Sequence, residues 1–200
     1  HGGRNLIESR PGLYRALIRR LHARGMRVYA LLGSAYLHTE EYVLPARHKD
    51  AEAMFRRVLR YNAASARAER FDGVNLDIEP HILDEWNDRT RESLLMEFLE
   101  MSAKLMRAKR ASGQRLAVGP AMPFWLDNIQ LDWRGRRKPA SEHTQDIYDY
   151  VALMDYRDHA EGRDGMLAHA AAEMKYAALR GKNGARPAAT VRASDRYSET

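Results

Sequence analysis

Short apolar runs alternate along this chain with amphipathic helical stretches, and that alternation limits the fold more than any other feature. Arg27 to Leu32, Phe71 to Glu79, Leu116 to Ala121 and Tyr150 to Tyr156 read as strands, with a further one over Ala188 to Ala193. Between them apolar residues recur at helical spacing. Leu13, Leu17, Ile18 and Leu21 mark a helix from Ser9 to Arg24, and Met54, Phe55, Val58 and Leu59 mark one that Asp50 can open. Leu94, Leu95, Phe98, Leu99, Leu105 and Met106 face inward from a third, about Asp88 to Ala111, and an alanine-rich fourth runs from about Arg163 to Leu179. Ser9 and Pro11 suit a helix start, and Gly25, Gly113 and Gly181 suit helix ends. Pro123 to Thr144 is polar and without period, and reads as a long loop with room for one helical turn.

The strands are near-continuously apolar rather than alternating, which is the pattern of a parallel sheet covered by helices. Either an open doubly wound sheet or a barrel satisfies it. No Gly-rich phosphate loop follows any strand, which counts against a nucleotide-binding doubly wound sheet. Two hundred residues suit one domain spanning 1–200. A full eight-unit barrel typically needs about 250, so a barrel here would be incomplete. The chain opens at His1 and closes at Thr200 without a recognisable terminal element, and we read it as part of something longer.

No apolar run approaches the ~20 residues of a membrane-spanning helix, and no membrane insertion is expected. Thirty-three Lys and Arg against 27 Asp and Glu leave a formal charge of +6, spread thinly. That excess permits an anionic partner without requiring one. The absence of cysteine excludes disulfides, thiolate metal sites and cysteine nucleophiles.

Phe71 to Glu79 carries the chemistry. Side chains alternate along a strand, so Asn75, Asp77 and Glu79 share one face and Val74, Leu76 and Ile78 the other. The polar set climbs towards the strand's C-terminal end, where parallel α/β folds place their active sites. Carboxylates at i and i+2 lie roughly 7 Å apart at Cα, close enough for mutual repulsion to lift one pKa and create a proton donor. The competing reading is an exposed edge strand with solvated acids. Acids that end an apolar strand, with Asn75 below and Pro80-His81 above, favour the site.

Asp72-Gly73-Val74-Asn75-Leu76-Asp77-Ile78-Glu79 resembles the DGxDxDxE signature of glycoside hydrolase family 18, the chitinases and their relatives. Asn in place of the second Asp is similar to the spore-cortex and peptidoglycan-acting branch. Val28 to Ser34, Ala117 to Pro123 and Val151 to Tyr156 resemble other strands of that family, in its order. The resemblance covers about residues 27–158 and implies a (β/α)8 TIM barrel, of which this chain would hold about strands 3–7. It implies substrate-assisted retaining hydrolysis of a β-linked N-acetylglucosamine polysaccharide, an exception to the two-carboxylate scheme. Glu79 would be the general acid, Asp77 would orient the substrate acetamido group, and Tyr156 would donate a hydrogen bond to it. Met154 would line the sugar pocket, and Asn75 would keep an amide beside Asp77. The chain departs from the family at Ile78, where an aromatic residue is usual, and at Arg157, where Asp is usual; Asp158 would stand in if its strand continues past Tyr156.

Trp86 and Trp125 are candidate sugar platforms, since sugar rings present apolar faces to indoles; Phe124 and Trp133 share that loop, whose aromatics could equally pin it in place. His81 beside two acids admits a metal site, but no second histidine lies near it in sequence, and a hydrogen-bonding role towards substrate is favoured. His143 and His159 could approach the same rim. Arg134 to Lys138 is the densest basic run and reads as a solvated loop; no nucleic-acid motif accompanies it. The expected protein is a cofactor-free, metal-free monomer acting on a polysaccharide, secreted, periplasmic or cell-wall associated. Two rivals remain: a glycan-binding barrel without catalysis, and a barrel glycosidase of another family acting on sugars without N-acetyl groups.

Overall fold

A computed structural model describes residues 6–182 and 189–192. Its strands are β1 (Tyr29–Leu32), β2 (Gly73–Leu76), β3 (Ala117–Pro123), β4 (Gln130–Trp133), β5 (Arg136–Pro139), β6 (Val151–Met154) and β7 (Ala189–Arg192). The helices are α1 (Leu6–Ser9), α2 (Pro11–His22), α3 (His48–Ala63), α4 (Arg91–Ser112), α5 (Ala140–Ile147) and α6 (Met166–Lys182). Five strands form one sheet in the order β1-β2-β3-β6-β7, every neighbouring pair parallel.

The strand order never reverses. A doubly wound sheet needs a switch point, where the order turns back and helices pass to the second face. Right-handed crossovers in one direction instead put successive helices on the same face. The burial pattern agrees with this. Val74, Leu76, Ile78, Val118, Met122, Val151 and Leu153 are all buried, in one core with Phe55, Val58 and Leu59 of α3 and Leu95, Phe98 and Leu99 of α4. On the other face Asn75, Ala121 and Met154 are half-buried, and Leu31 is exposed. The sheet is therefore sealed on one side and open on the other.

Two buried-edge clasps align the strand starts. The Asp72 carboxylate accepts the Val28 N–H at 2.7 Å while the Asp72 N–H donates to the Val28 carbonyl at 2.8 Å. Asp149 repeats this with Val118, at 2.7 and 3.0 Å. At the lower end of the open face Tyr29 and Tyr150 meet edge to face at 5.8 Å, and Tyr150 Oη donates to the Val74 carbonyl at 2.9 Å. A Cβ at Gly73 or Gly119 would lie 2.3 Å from these tyrosines, so both positions must lack a side chain.

Several boundaries differ from the sequence expectation. Ser9 ends α1, and Arg10 precedes α2 without capping it through its side chain. Helix α3 starts at His48, with Asp50 in its first turn held by Arg47 at 2.8 Å. Gly181 lies inside α6 rather than ending it. The expected loop over 123–144 is mostly ordered structure: a 3-10 turn over Phe124–Asn128, the antiparallel β4–β5 hairpin and the start of α5. Arg134 and Gly135 turn the hairpin with φ of 53° and 74°, the pair of positive values that a tight two-residue turn requires. Strand β7 falls on the expected fifth strand; Ala188 and Ala193 lie outside the described residues.

Glu173 of α6 is 1% exposed, and neither carboxylate oxygen has a hydrogen-bond partner. Burial, reinforced by the charge of Asp127, pushes its pKa up to about 7. The folded state thus binds this proton more tightly than the unfolded chain, so stability is highest below the ordinary glutamate range and declines as pH rises through about 7. Glu173→Gln is expected to melt at a higher temperature than wild type at about pH 8, with the difference fading near pH ~4. Equal melting temperatures across that range would refute the assignment.

Candidate active site

The open face of β2 delivers Asn75, Asp77 and Glu79 to the C-terminal end of the sheet. Their placement follows from the opposite face: Val74, Leu76 and Ile78 are each at most 1% exposed, so the intervening side chains must point away from the helices. All three polar residues are half-buried. The turn after β1 presses on this spot. The Asp77 N–H donates to the Leu32 carbonyl at 2.7 Å, and Gly33 (φ 107°) passes so close that a Cβ there would stand 2.2 Å from the Asp77 carbonyl oxygen.

The two carboxyl groups are hydrogen-bonded to each other. Burial is the main cause that raises both pKa values. Glu79 is raised further by the negative charge of Asp77, by this bond and by the charge of Glu40, whereas for Asp77 the bond works the other way. The surroundings therefore favour the protonated form of Glu79 more than that of Asp77, which sets Glu79 as the donor of the pair. Tyr156 stands near both: its hydroxyl pKa is raised by burial and then by the charges of Glu79 and Asp77.

His81 completes the flank. Its Nε2 lies 3.2 Å from Glu79 Oε2, and burial lowers its pKa, which favours the neutral ring. Trp125 and Trp86 pack edge-on against it at 5.4 and 6.4 Å between centroids, and against each other at 6.1 Å. The structure thus gathers Asn75, Asp77, Glu79, His81, Trp86, Trp125 and Tyr156 around one spot. Met154 shares the open face at the end of β6.

Other expectations find different surroundings. Strand β6 stops at Met154, so the extension that would carry Asp158 inward beside Tyr156 is not formed; Asp158 instead pairs with His159 at 2.9 Å. Arg157 does not neutralise the acidic pair. It binds Asp164 at 3.1 Å and lies over the Phe124 ring, while His169 bridges Asp164 and the fully buried Asp155. Phe124 stacks on His169 at 4.1 Å, and Trp133 Nε1 donates to Glu100 at 2.8 Å, so both aromatics pin their loop. His143 is buried beside Leu131. Among the described residues no group of three or more His, Cys, Asp or Glu side chains is arranged to hold a metal ion.

Sequence reasoning missed Glu40 and Tyr36, which follow β1. Glu40 is 9% exposed, faces His38 Nδ1 at 3.2 Å through Oε1, and leaves Oε2 without a partner. Tyr36 is 88% exposed in the turn after Ser34. Proximity to Gly33-Ser34 was the only signal available for either.

No family model matches this chain, and no curated protein matches it. Among solved structures it is similar to the C-terminal domain of a putative chitinase from Desulfitobacterium hafniense DCB-2, at 20% identity with a TM-score of 0.57. The match covers 88% of this chain and 49% of that one, so the chain spans about half the length of its structural neighbour. The likeness establishes a shared α/β architecture.

Two variants test this geometry. Gly33→Ala should cost about 1–3 kcal/mol through backbone strain alone, with the clash at the Asp77 carbonyl adding to it; an unchanged melting temperature would contradict the close approach. His81→Phe keeps an aromatic ring between the tryptophans and removes the polar ring nitrogen that stands 3.2 Å from Glu79 Oε2. The Glu79 titration midpoint, read by carbon-detected NMR, should then move to higher pH; a fixed or lower midpoint would show that His81 does not stabilise the ionised form.

Proposed function

We propose that this chain carries the catalytic part of a glycoside hydrolase that cleaves a β-linked N-acetylglucosamine-containing polysaccharide, chitin- or peptidoglycan-like. The observation that carries this reading is the paired, half-buried carboxyl groups of Asp77 and Glu79 at the C-terminal end of a singly wound parallel sheet, where burial and the neighbouring acids raise the Glu79 pKa. Further support comes from the family 18-like signature over residues 72–79 and from a structural neighbour described as the C-terminal domain of a putative chitinase. In this reading the sheet is an arc of a (β/α)8 barrel, and its open face is the lumen.

The chemistry follows from the two proton states. Glu79 gives its proton to the glycosidic oxygen as the bond to the anomeric carbon breaks. The substrate's own acetamido carbonyl oxygen attacks that carbon from the opposite side and forms a positively charged oxazolinium ring. Asp77, in its ionised form and released when Glu79 turns to the substrate, accepts a hydrogen bond from the acetamido N–H and stabilises that charge. Tyr156 donates its hydroxyl hydrogen to the acetamido group, Asn75 and Met154 line the sugar pocket, and Trp86 and Trp125 offer apolar faces to neighbouring rings. Glu79, now ionised, takes a proton from the water that opens the ring, so the configuration is retained. His81 holds Glu79 through both steps. A polymer of this class places the protein outside the cytoplasm, secreted, periplasmic or at the cell wall.

Incubating the parent protein with N-acetylglucosamine oligomers and peptidoglycan, with products read by mass spectrometry, tests the reading. Shortened N-acetylated products are expected from wild type, with Glu79→Gln lowering turnover by about 10²–10⁴-fold. Activity should fall on the alkaline side as the raised Glu79 pKa is crossed, and on the acid side as Asp77 protonates. Undiminished hydrolysis by Glu79→Gln would overturn the assignment. Cleavage of sugars lacking the N-acetyl group would replace the substrate-assisted mechanism, and binding without products would make the groove a lectin.

A further inference from the structure

At the opposite end of the strands from the acidic pair lies an open cleft of about 990 Å³, formed where the chain enters β1, β2 and β3. Arg67, Arg70 and Arg115 line it. Among the described residues none of the three forms an ion pair, and the only side-chain hydrogen bond they make is from Arg70 Nε to the Ser65 carbonyl at 2.9 Å.

Asp72 is the one acid lining the cleft, and its charge is already engaged. It clasps Val28 and faces His22 Nε2 at 2.9 Å, while His22 Nδ1 faces the Ala68 carbonyl at 2.8 Å. Both ring nitrogens thus face oxygen atoms, and neither is turned towards the arginines. The cleft keeps three guanidinium groups without a counter-charge. One carboxylate would occupy only one such fork, whereas a phosphate group carries up to two negative charges and enough acceptor oxygens for several.

We infer that this cleft is a binding site for a phosphate-bearing ligand, separate from the glycan groove and independent of the function proposed for it. The ligand is either a small phosphate compound or a phosphate-containing polymer, and the affinity for chains of different length distinguishes them.

Calorimetric titration of the full chain with inorganic phosphate, pyrophosphate and a long polyphosphate, at low and high salt, provides the test. Binding should weaken with added salt. It should fall at least about tenfold in Arg67→Gln/Arg115→Gln, which removes two of the three forks. Amide NMR shifts in the wild-type protein should concentrate in residues 67–72 and 113–116, a readout that does not depend on the variant's folding. A polyphosphate affinity more than about tenfold above that of pyrophosphate marks a polymer as the natural ligand; similar affinities mark a small one. No detectable binding of any probe, shifts centred elsewhere, or undiminished binding by the double variant would overturn the site.

Discussion

One face of β2 is sealed against helices, and nearly everything proposed for this protein depends on that burial. Val74, Leu76 and Ile78 leave water almost completely, and burying such side chains is worth about 1.5–3 kcal/mol each. A slip of one residue would drive Asn75, Asp77 and Glu79 into the core and expose the apolar set, so the register is strongly specified. The acids are held at the open face by hydrophobic burial on the far side of the same strand. The monotonic strand order extends the constraint to the whole sheet, because crossovers of one hand leave the helices together and the acid-bearing face uncovered.

The two ends of the strands are built differently. At the N-terminal end Asp72 and Asp149 each clasp the preceding strand through a carboxylate and a backbone N–H, and each has a positively charged or protonatable partner, His22 or Lys109. These acids have their acceptor capacity used. At the C-terminal end Asp77, Glu79 and Glu40 meet no lysine or arginine in an ion pair among the described residues; their side-chain partners are one another and the neutral or exposed histidines 81 and 38. Gly33 allows the crowding that brings the β1 turn onto Asp77, and with it Glu40 into range of Glu79.

The strands and the shared face of Asn75, Asp77 and Glu79 were legible in the sequence because each rests on local periodicity: runs of apolar residues for strands, helical spacing between them, and strict alternation at Asn75, Asp77 and Glu79, whereas periodicity alone left the order of the strands in the sheet open between a doubly wound sheet and a barrel. What escaped depends on contacts between segments distant in sequence. The β4–β5 hairpin was hidden because Arg134-Gly135 lacks the Asn-Gly or Asp-Gly signature of a tight turn, and the alternation in Gln130 to Trp133 is only four residues long. Glu40 lies 39 residues before Glu79, and no spacing rule connects them. Asp158 was expected inward on the premise that β6 continues, but the strand stops at Met154 and Arg157 turns away to Asp164. The roles of Phe124 and Trp133 were decided by partners, His169 and Glu100, that no local pattern identifies.

The company each carboxylate keeps separates structural acids from chemical ones. Glu100 accepts two hydrogen bonds from Arg134 and one from Trp133, and the Arg134 guanidinium holds its pKa below the ordinary value. Such an acid is a poor proton donor near neutrality, because losing its proton is what the surroundings favour. Glu79 is surrounded in the opposite sense: burial and two negative neighbours favour the protonated form, and the cations that could reverse this are directed elsewhere. Arg157, at the position where the resembled family usually has Asp, would have been such a cation. Its engagement with Asp164 and Phe124 keeps a positive charge from pairing with Glu79, so the departure at this position leaves the acidic pair electrostatically intact.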